Sequence, residues 1–172
     1  MRPSPWIWLP VAAISTSVCA TTYLSVEQAQ QLMFPGATLV ATPLVLSDSQ
    51  RQQLASAAGG TAPGREFRVW RVASGGFFIV DEVIGKHELI GYAVGLNADG
   101  SIRQVEILSY RESYGYEIRN ERWRRQFVGR RAGAPLRMDH EIQNISGATL
   151  SCTHLTEGVN RILALYAVAL SN

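Results

Sequence analysis

Cysteine is scarce in this sequence, and the scarcity excludes two ways of stabilising a small protein. The 172 residues contain only Cys19 and Cys152. Cys19 falls in a stretch that reads as a removable leader, so Cys152 is left without a partner for an internal disulfide. Histidine is limited to His87, His140 and His154. A structural zinc site takes about four nitrogen, sulfur or oxygen ligands, and this supply does not meet that need. Cys152-Thr153-His154 lacks the second cysteine of a haem-attachment motif. Charge of one sign is also lacking. With 16 Lys and Arg against 14 Asp and Glu, the net charge of +2 provides no basic surface to neutralise phosphates, so nucleic acid is not an expected partner. No Gly-x-Ser-x-Gly elbow occurs, which leaves a serine hydrolase built on Ser146 or Ser151 unsupported. No internal repeat, low-complexity tract or long charged run interrupts the chain.

Long apolar runs are missing as well. The stretch from Trp6 to Ile14 falls short of the roughly twenty residues a membrane span needs, and Pro10 interrupts it. Arg2 precedes it, and Ser15-Thr16-Ser17-Val18-Cys19-Ala20 follows. This is the layout of a secretory signal peptide, with Val18 and Ala20 as the small residues before a cut at Thr21. The protein is therefore expected to be exported, in the simplest case to the periplasm, with any membrane association made through a partner.

What remains is enough for one core. Hydrophobic residues make up 47% of the chain and charged residues 17%, a balance suited to a single folded unit. Residues 1–20 read as the leader, 21–64 as an N-terminal helical segment and 65–172 as the main domain. Ser25-Val26-Glu27-Gln28 has the capping-box arrangement and predicts a helix to about Phe34, stopped by Pro35-Gly36. Ser47-Asp48-Ser49-Gln50 repeats the signature, with Gly59-Gly60 as its stop and an extended link through Pro43 between the two helices. From Glu66 the texture becomes alternating, β-branched and aromatic. Four strands are predicted, at Phe67 to Ala73, Phe77 to Ile84, Glu88 to Leu96 and Ser101 to Ser109. The short turns between them imply an antiparallel meander. In the fourth strand, strict alternation sets Ile102, Gln104, Glu106 and Leu108 on one face, and Arg103, Val105, Ile107 and Ser109 on the other. A helix is expected at Asn120 to Phe127 and a short strand at Leu136 to Met138. A final helix should pack Leu155, Val159, Ile162, Leu163 and Tyr166 onto the sheet. The predicted class is α+β.

Ser146-Gly147-Ala148-Thr149 lies just ahead of that last helix. Small side chains admit an anion to the backbone, and the free amides and dipole of a helix start favour phosphate by about 0.3 to 1 kcal/mol. Ser146, Thr149 and Ser151 add hydroxyl donors. The same residue types also serve as ordinary helix caps, so this pattern alone does not specify a ligand. Asn144-Ile145-Ser146 matches a glycosylation acceptor, a short pattern that is common by chance.

Three blocks in order carry a more specific signal. Ser146-Gly147-Ala148-Thr149-Leu150-Ser151 resembles the flavinylation motif of the FMN-binding domain family. Glu106 to Ile118 resembles its Glu-Thr-Pro-Gly-x-Gly region, with Glu112 and Gly115 on the motif glutamate and a glycine. Trp123 to Arg130 resembles its Trp-x-x-Gln-Phe-x-Gly-basic block. The family includes the flavin-carrying subunits of sodium-translocating NADH:quinone reductases and Rnf-type complexes. The resemblance implies that residues 65–172 form an FMN-binding domain of an electron-transfer protein. It implies FMN esterified through its phosphate to Thr149 by a flavin transferase that uses FAD, and a membrane-associated redox partner. It also implies a cofactor site built from Ser146, Gly147, Ala148, Thr149, Leu150 and Ser151 together with Glu112, Ser113, Tyr114 and Gly115. Tyr110, Tyr114 and Tyr116 are candidates to meet the flavin ring, and Arg124, Arg125, Arg130 and Arg131 to meet a phosphate or partner, with a solvated helix face as the alternative for the arginines. Two positions depart from the family pattern: Gln143 stands where Asp is usual, and Ser113-Tyr114 where Thr-Pro is usual. The Gln143 departure raises the alternative of a noncatalytic binding or assembly module that kept the fold and lost flavinylation.

Overall fold

The computed structural model describes residues 21–58, 64–112, 114–133 and 135–171. The leader, the Gly59-Gly60 stop and Ser113 lie outside those residues. Helix α1 (Val26–Met33) begins as the capping box requires: the Gln28 N–H donates to Ser25 Oγ at 3.1 Å, and the Ser25 N–H to Gln28 Oε1 at 2.8 Å. Helix α2 (Asp48–Ala58) repeats the pair with Ser47 and Gln50, at 3.3 and 3.0 Å. Each box satisfies two amides that a helix start otherwise leaves open.

The N-terminal segment contributes more than helices. Strand β1 (Thr21–Thr22) pairs with the end of the last strand of the meander. The link through Pro43 forms two edge strands, β2 (Leu39–Ala41) and β3 (Leu44–Val45), and both lie antiparallel to β4 (Glu66–Val72). Segments this short carry no readable period; their partner creates them. Strands β5 (Phe77–Ile84), β6 (Leu89–Leu96) and β7 (Ile102–Tyr110) complete the expected antiparallel meander. The sheet runs in the order β1-β7-β6-β5-β4-β2, with β3 also on β4.

In β7 the alternation of faces is broken. The register shifts twice against β6, between Gly91 and Tyr92 and between Gly95 and Leu96. Each shift adds one residue to β7 and turns the strand over by one position. Ile102 therefore joins Val105, Ile107 and Tyr110 in the main core, while Leu108 points into a second core with Ala29, Met33, Phe34, Phe78 and Ala93. The predicted pairing of Ile102 with Leu108 on one face is overturned. The sheet is covered on both sides, by α1 on one and by the final helix on the other.

After β7 comes a 3-10 turn, Tyr116–Arg119, and then α3 (Glu121–Arg124), capped by Asn120, which runs into a second 3-10 turn at Arg125–Phe127. The strand expected at Leu136 to Met138 is reduced to one bridge between Met138 and Ile142. Helix α4 (Thr149–Leu165) continues as a π-helical turn, Tyr166–Leu170. It buries Leu155, Val159, Ile162 and Leu163 in the main core. Close approach to the sheet depends on Gly158, where a Cβ would stand 2.5 Å from the Tyr92 hydroxyl and 2.7 Å from Val83 Cγ1. Arg161 then reaches Asp81 Oδ2 on β5 with two hydrogen bonds, at 3.0 and 2.6 Å. Among the described residues, no helix is long and apolar enough to cross a membrane.

Candidate functional site

The fold sets the first turn of α4 against two loops that are distant in sequence. Gly147, Ala148, Thr149, Leu150 and Ser151 share one cleft of about 430 Å³ with Lys86, His87, Glu112, Tyr114 and Gly115. Of the ten site residues expected from sequence, eight line it. Ser146 is exposed and is not part of the lining, and Ser113 is outside the described residues.

The approach to α4 is a turn. The Ala148 N–H donates to the Ile145 carbonyl at 3.0 Å, and Gly147, third in that turn, has φ of +87°. A type II turn requires such an angle there, and glycine adopts it without steric cost. Ala148 is the helix N-cap and makes no side-chain capping bond. The capping explanation for this hydroxyl-rich segment therefore does not hold. Alanine is a poor cap, and no N-cap side chain satisfies the amides of the first turn. Thr149 is exposed, and its Oγ1 accepts a hydrogen bond from Asn144 Nδ2 at 3.0 Å.

The walls are tied together by hydrogen bonds. Ser151 is buried, and its Oγ lies 3.0 Å from the Tyr110 hydroxyl, which donates to the Tyr114 carbonyl. Gly115 permits this junction: a Cβ there would lie 2.7 Å from both the Ser151 and Tyr110 oxygens. Tyr110 is thus a core residue, and burial pushes its hydroxyl up from the ordinary phenol range against the opposing effect of the Ser151 bond. Of the three candidate tyrosines, only Tyr114 lines the cleft, and it is 79% exposed.

Glu112 braces the β5–β6 turn. Its Oε1 accepts from the His87 and Glu88 backbone amides, the latter at 2.9 Å. Gly85 leaves room for it, since a Cβ there would stand 2.8 Å from that oxygen. Burial opposes the carboxylate's charge, but the amides of Glu88, His87 and Lys86 outweigh it and hold the group below the usual carboxyl range. His154 Nδ1–H, on α4, donates to the Gly85 carbonyl at 3.0 Å. The turn carrying Lys86 and His87 is therefore fixed from both sides. Neither residue was picked out from sequence, because nothing local marks a hairpin tip as the far wall of a distant helix start.

The Trp-x-x-Gln block has a direct physical role. Trp123 Nε1 donates to the Gln143 carbonyl at 2.6 Å, and Gln126 Oε1 accepts from the Gln143 N–H at 2.8 Å. The backbone leading into the Ile145–Ala148 turn is clamped at both its polar groups. The four arginines are not in the cleft. Arg124 is buried, donating from Nε to the Val105 carbonyl and from Nη2 to Glu106 Oε2, both at 2.8 Å. It belongs to the core rather than to the solvated face considered from sequence. Arg125 pairs with Glu121, Arg131 with Asp99, and Arg130 with backbone carbonyls. Cys152 is fully buried, and burial pushes its thiol up, away from the reactive thiolate form.

The first-turn amides, the Thr149 hydroxyl and the Lys86 ammonium beside apolar surface are the kinds of group that suit a phosphate-bearing cofactor with a flat apolar part. Residues 85–164, which include both loops and α4 as far as Ala164, match the FMN-binding domain family. Comparison with curated proteins returns no match. FMN is the cofactor that this match implies, and the donors and volume of the cleft suit it.

Proposed function

We propose that this protein is an exported FMN carrier for electron transfer, with FMN held by a phosphoester to Thr149 Oγ1. One observation carries the proposal: Thr149 is exposed at the start of a long helix whose cap is an alanine, and it lines a cleft together with Lys86 and His87. The amides of the first turn and those two side chains would hold the phosphate. Tyr114, Leu150 and Ala148 would offer apolar surface to the ring. FMN supplies one- or two-electron chemistry, while the protein binds and orients it. A covalent bond suits a carrier outside the compartment where the cofactor is made, because a phosphoester does not dissociate. Attachment calls for a flavin transferase, and electron delivery for a membrane-associated redox partner.

Intact mass spectrometry of the full chain coexpressed with a flavin transferase tests this. The expected result is an added FMN mass that Thr149→Ala abolishes; no added mass, or one that survives the substitution, would refute the proposal. Gln143 in place of the usual acid favours a second reading, a binding or assembly module without flavin. Colourless protein from the same coexpression would establish it.

A further inference from the structure

The Thr149 hydroxyl has a partner whose geometry is unusual. Asn144 Nδ2 donates to Oγ1 at 3.0 Å, while the Oδ1 of the same amide is buried with no hydrogen-bond partner among the described residues. Burying an acceptor without a donor is unfavourable, and such orphaned groups call for an explanation. Here the amide directs its N–H at Thr149 and leaves its carbonyl unsatisfied. Asn144 is also held from behind. The preceding residue, Gln143, has its N–H bound by Gln126 and its carbonyl by Trp123, so the side chain starts from a fixed backbone and crosses the Ile145–Ala148 turn to its target.

We infer that Asn144 is a positioning residue for the modification of Thr149. The inference rests on the reading that Thr149 carries FMN. In that reaction Oγ1 attacks the phosphorus on the FMN side of a flavin dinucleotide. An Oγ1–P bond forms, the pyrophosphate P–O bond breaks, AMP leaves with the electron pair, and the hydroxyl proton passes to water. One lone pair of Oγ1 is held by the Asn144 N–H and another is left to attack. The contact holds Oγ1 in one orientation, so that the hydroxyl is presented to the phosphorus in a fixed geometry instead of turning freely about its side chain.

The test is the kinetics of covalent FMN incorporation into the full chain by a flavin transferase with FAD, followed by intact mass at several carrier concentrations. Misplacing a reacting group by about 1 Å can cost on the order of 10²-fold in rate, and less where the group is exposed. Asn144→Ala is expected to lower kcat by about tenfold, with little change in KM for the carrier or in melting temperature. Asn144→Asp keeps the shape but removes the N–H, and should lose rate to the same extent. It also carries the test should the alanine variant fold poorly. An Asn144→Ala protein modified at the wild-type rate, or an Asn144→Asp protein matching or exceeding it, would overturn the inference while Thr149 stands. Wild-type protein that gains no FMN, or Thr149→Ala protein that still gains it, would instead bring down the Thr149 reading, and this inference with it.

Discussion

Gly147 and Gly115 border the same cleft, yet they are glycine for different reasons. A Cβ on Gly115 would collide with two hydroxyl oxygens, whereas one on Gly147 would meet nothing within 4 Å. Only the backbone angle of +87° requires glycine at 147. Gly147→Ala should therefore cost about 1–2 kcal/mol, the penalty of a left-handed conformation without any clash. Denaturant midpoints should show that modest loss, and covalent flavin incorporation should slow because the turn that presents Thr149 is strained. Glu112 makes a related point. The family resemblance placed it in the cofactor site, and its Oε1 is taken up by the β5–β6 turn, so it shapes the wall that carries Lys86 and His87.

Elements in this fold are joined by a few buried polar links as well as by apolar packing. The Arg124–Glu106 pair ties α3 to the middle of β7, with both side chains less than a tenth exposed. Removing one partner strands a buried charge. Arg124→Met is expected to destabilise the protein by about 3–5 kcal/mol, and Arg124→Met with Glu106→Leu to recover most of that loss. Equilibrium unfolding of the two variants decides the point, and a double variant as unstable as the single one would refute it. Much at this scale was legible beforehand. The capping boxes at Ser25 and Ser47 use residues three apart, and the four long strands carry their own β-branched and aromatic texture. The register shifts of β7 were not legible, because a bulge is set by the partner strand. The edge strands β2 and β3 take their form from β4 in the same way.

For the molecule as a whole, several carboxylates respond to acid in the same direction. Glu27 is held low by its own backbone hydrogen bond and by Ser25, Asp99 by the Ser101 hydroxyl and amide, and Glu141 by the Arg137 amide and side chain. Glu112 is held low by turn amides that outweigh its burial. Each has a folded pKa below its unfolded value of about 4. Each contribution to stability is thus present above the unfolded pKa and lost as pH falls through the folded one. Melting temperature should fall modestly below about pH 4, because solvent screens these exposed groups, and Glu112→Gln should flatten part of that slope. A wild-type melting temperature that stays level from neutral pH down to about pH 3 would contradict the assignment.

At the same scale lies the division between chain order and fold. Ser146 to Thr149 could be read as a phosphate-friendly helix start because its turn residues and the helix period behind it are consecutive. The three motif blocks could be recognised in order along the chain, and with them the family. Tertiary structure alone decided that Ala148 rather than a hydroxyl residue caps α4, and that Lys86 and His87 line the same cleft as Thr149. It also assigned Tyr110 and Arg124 to the core. A side chain's neighbours depend on how the sheet and α4 pack, and Gly158, the Arg161–Asp81 link and the register shifts of β7 set that packing across residues far apart in the sequence.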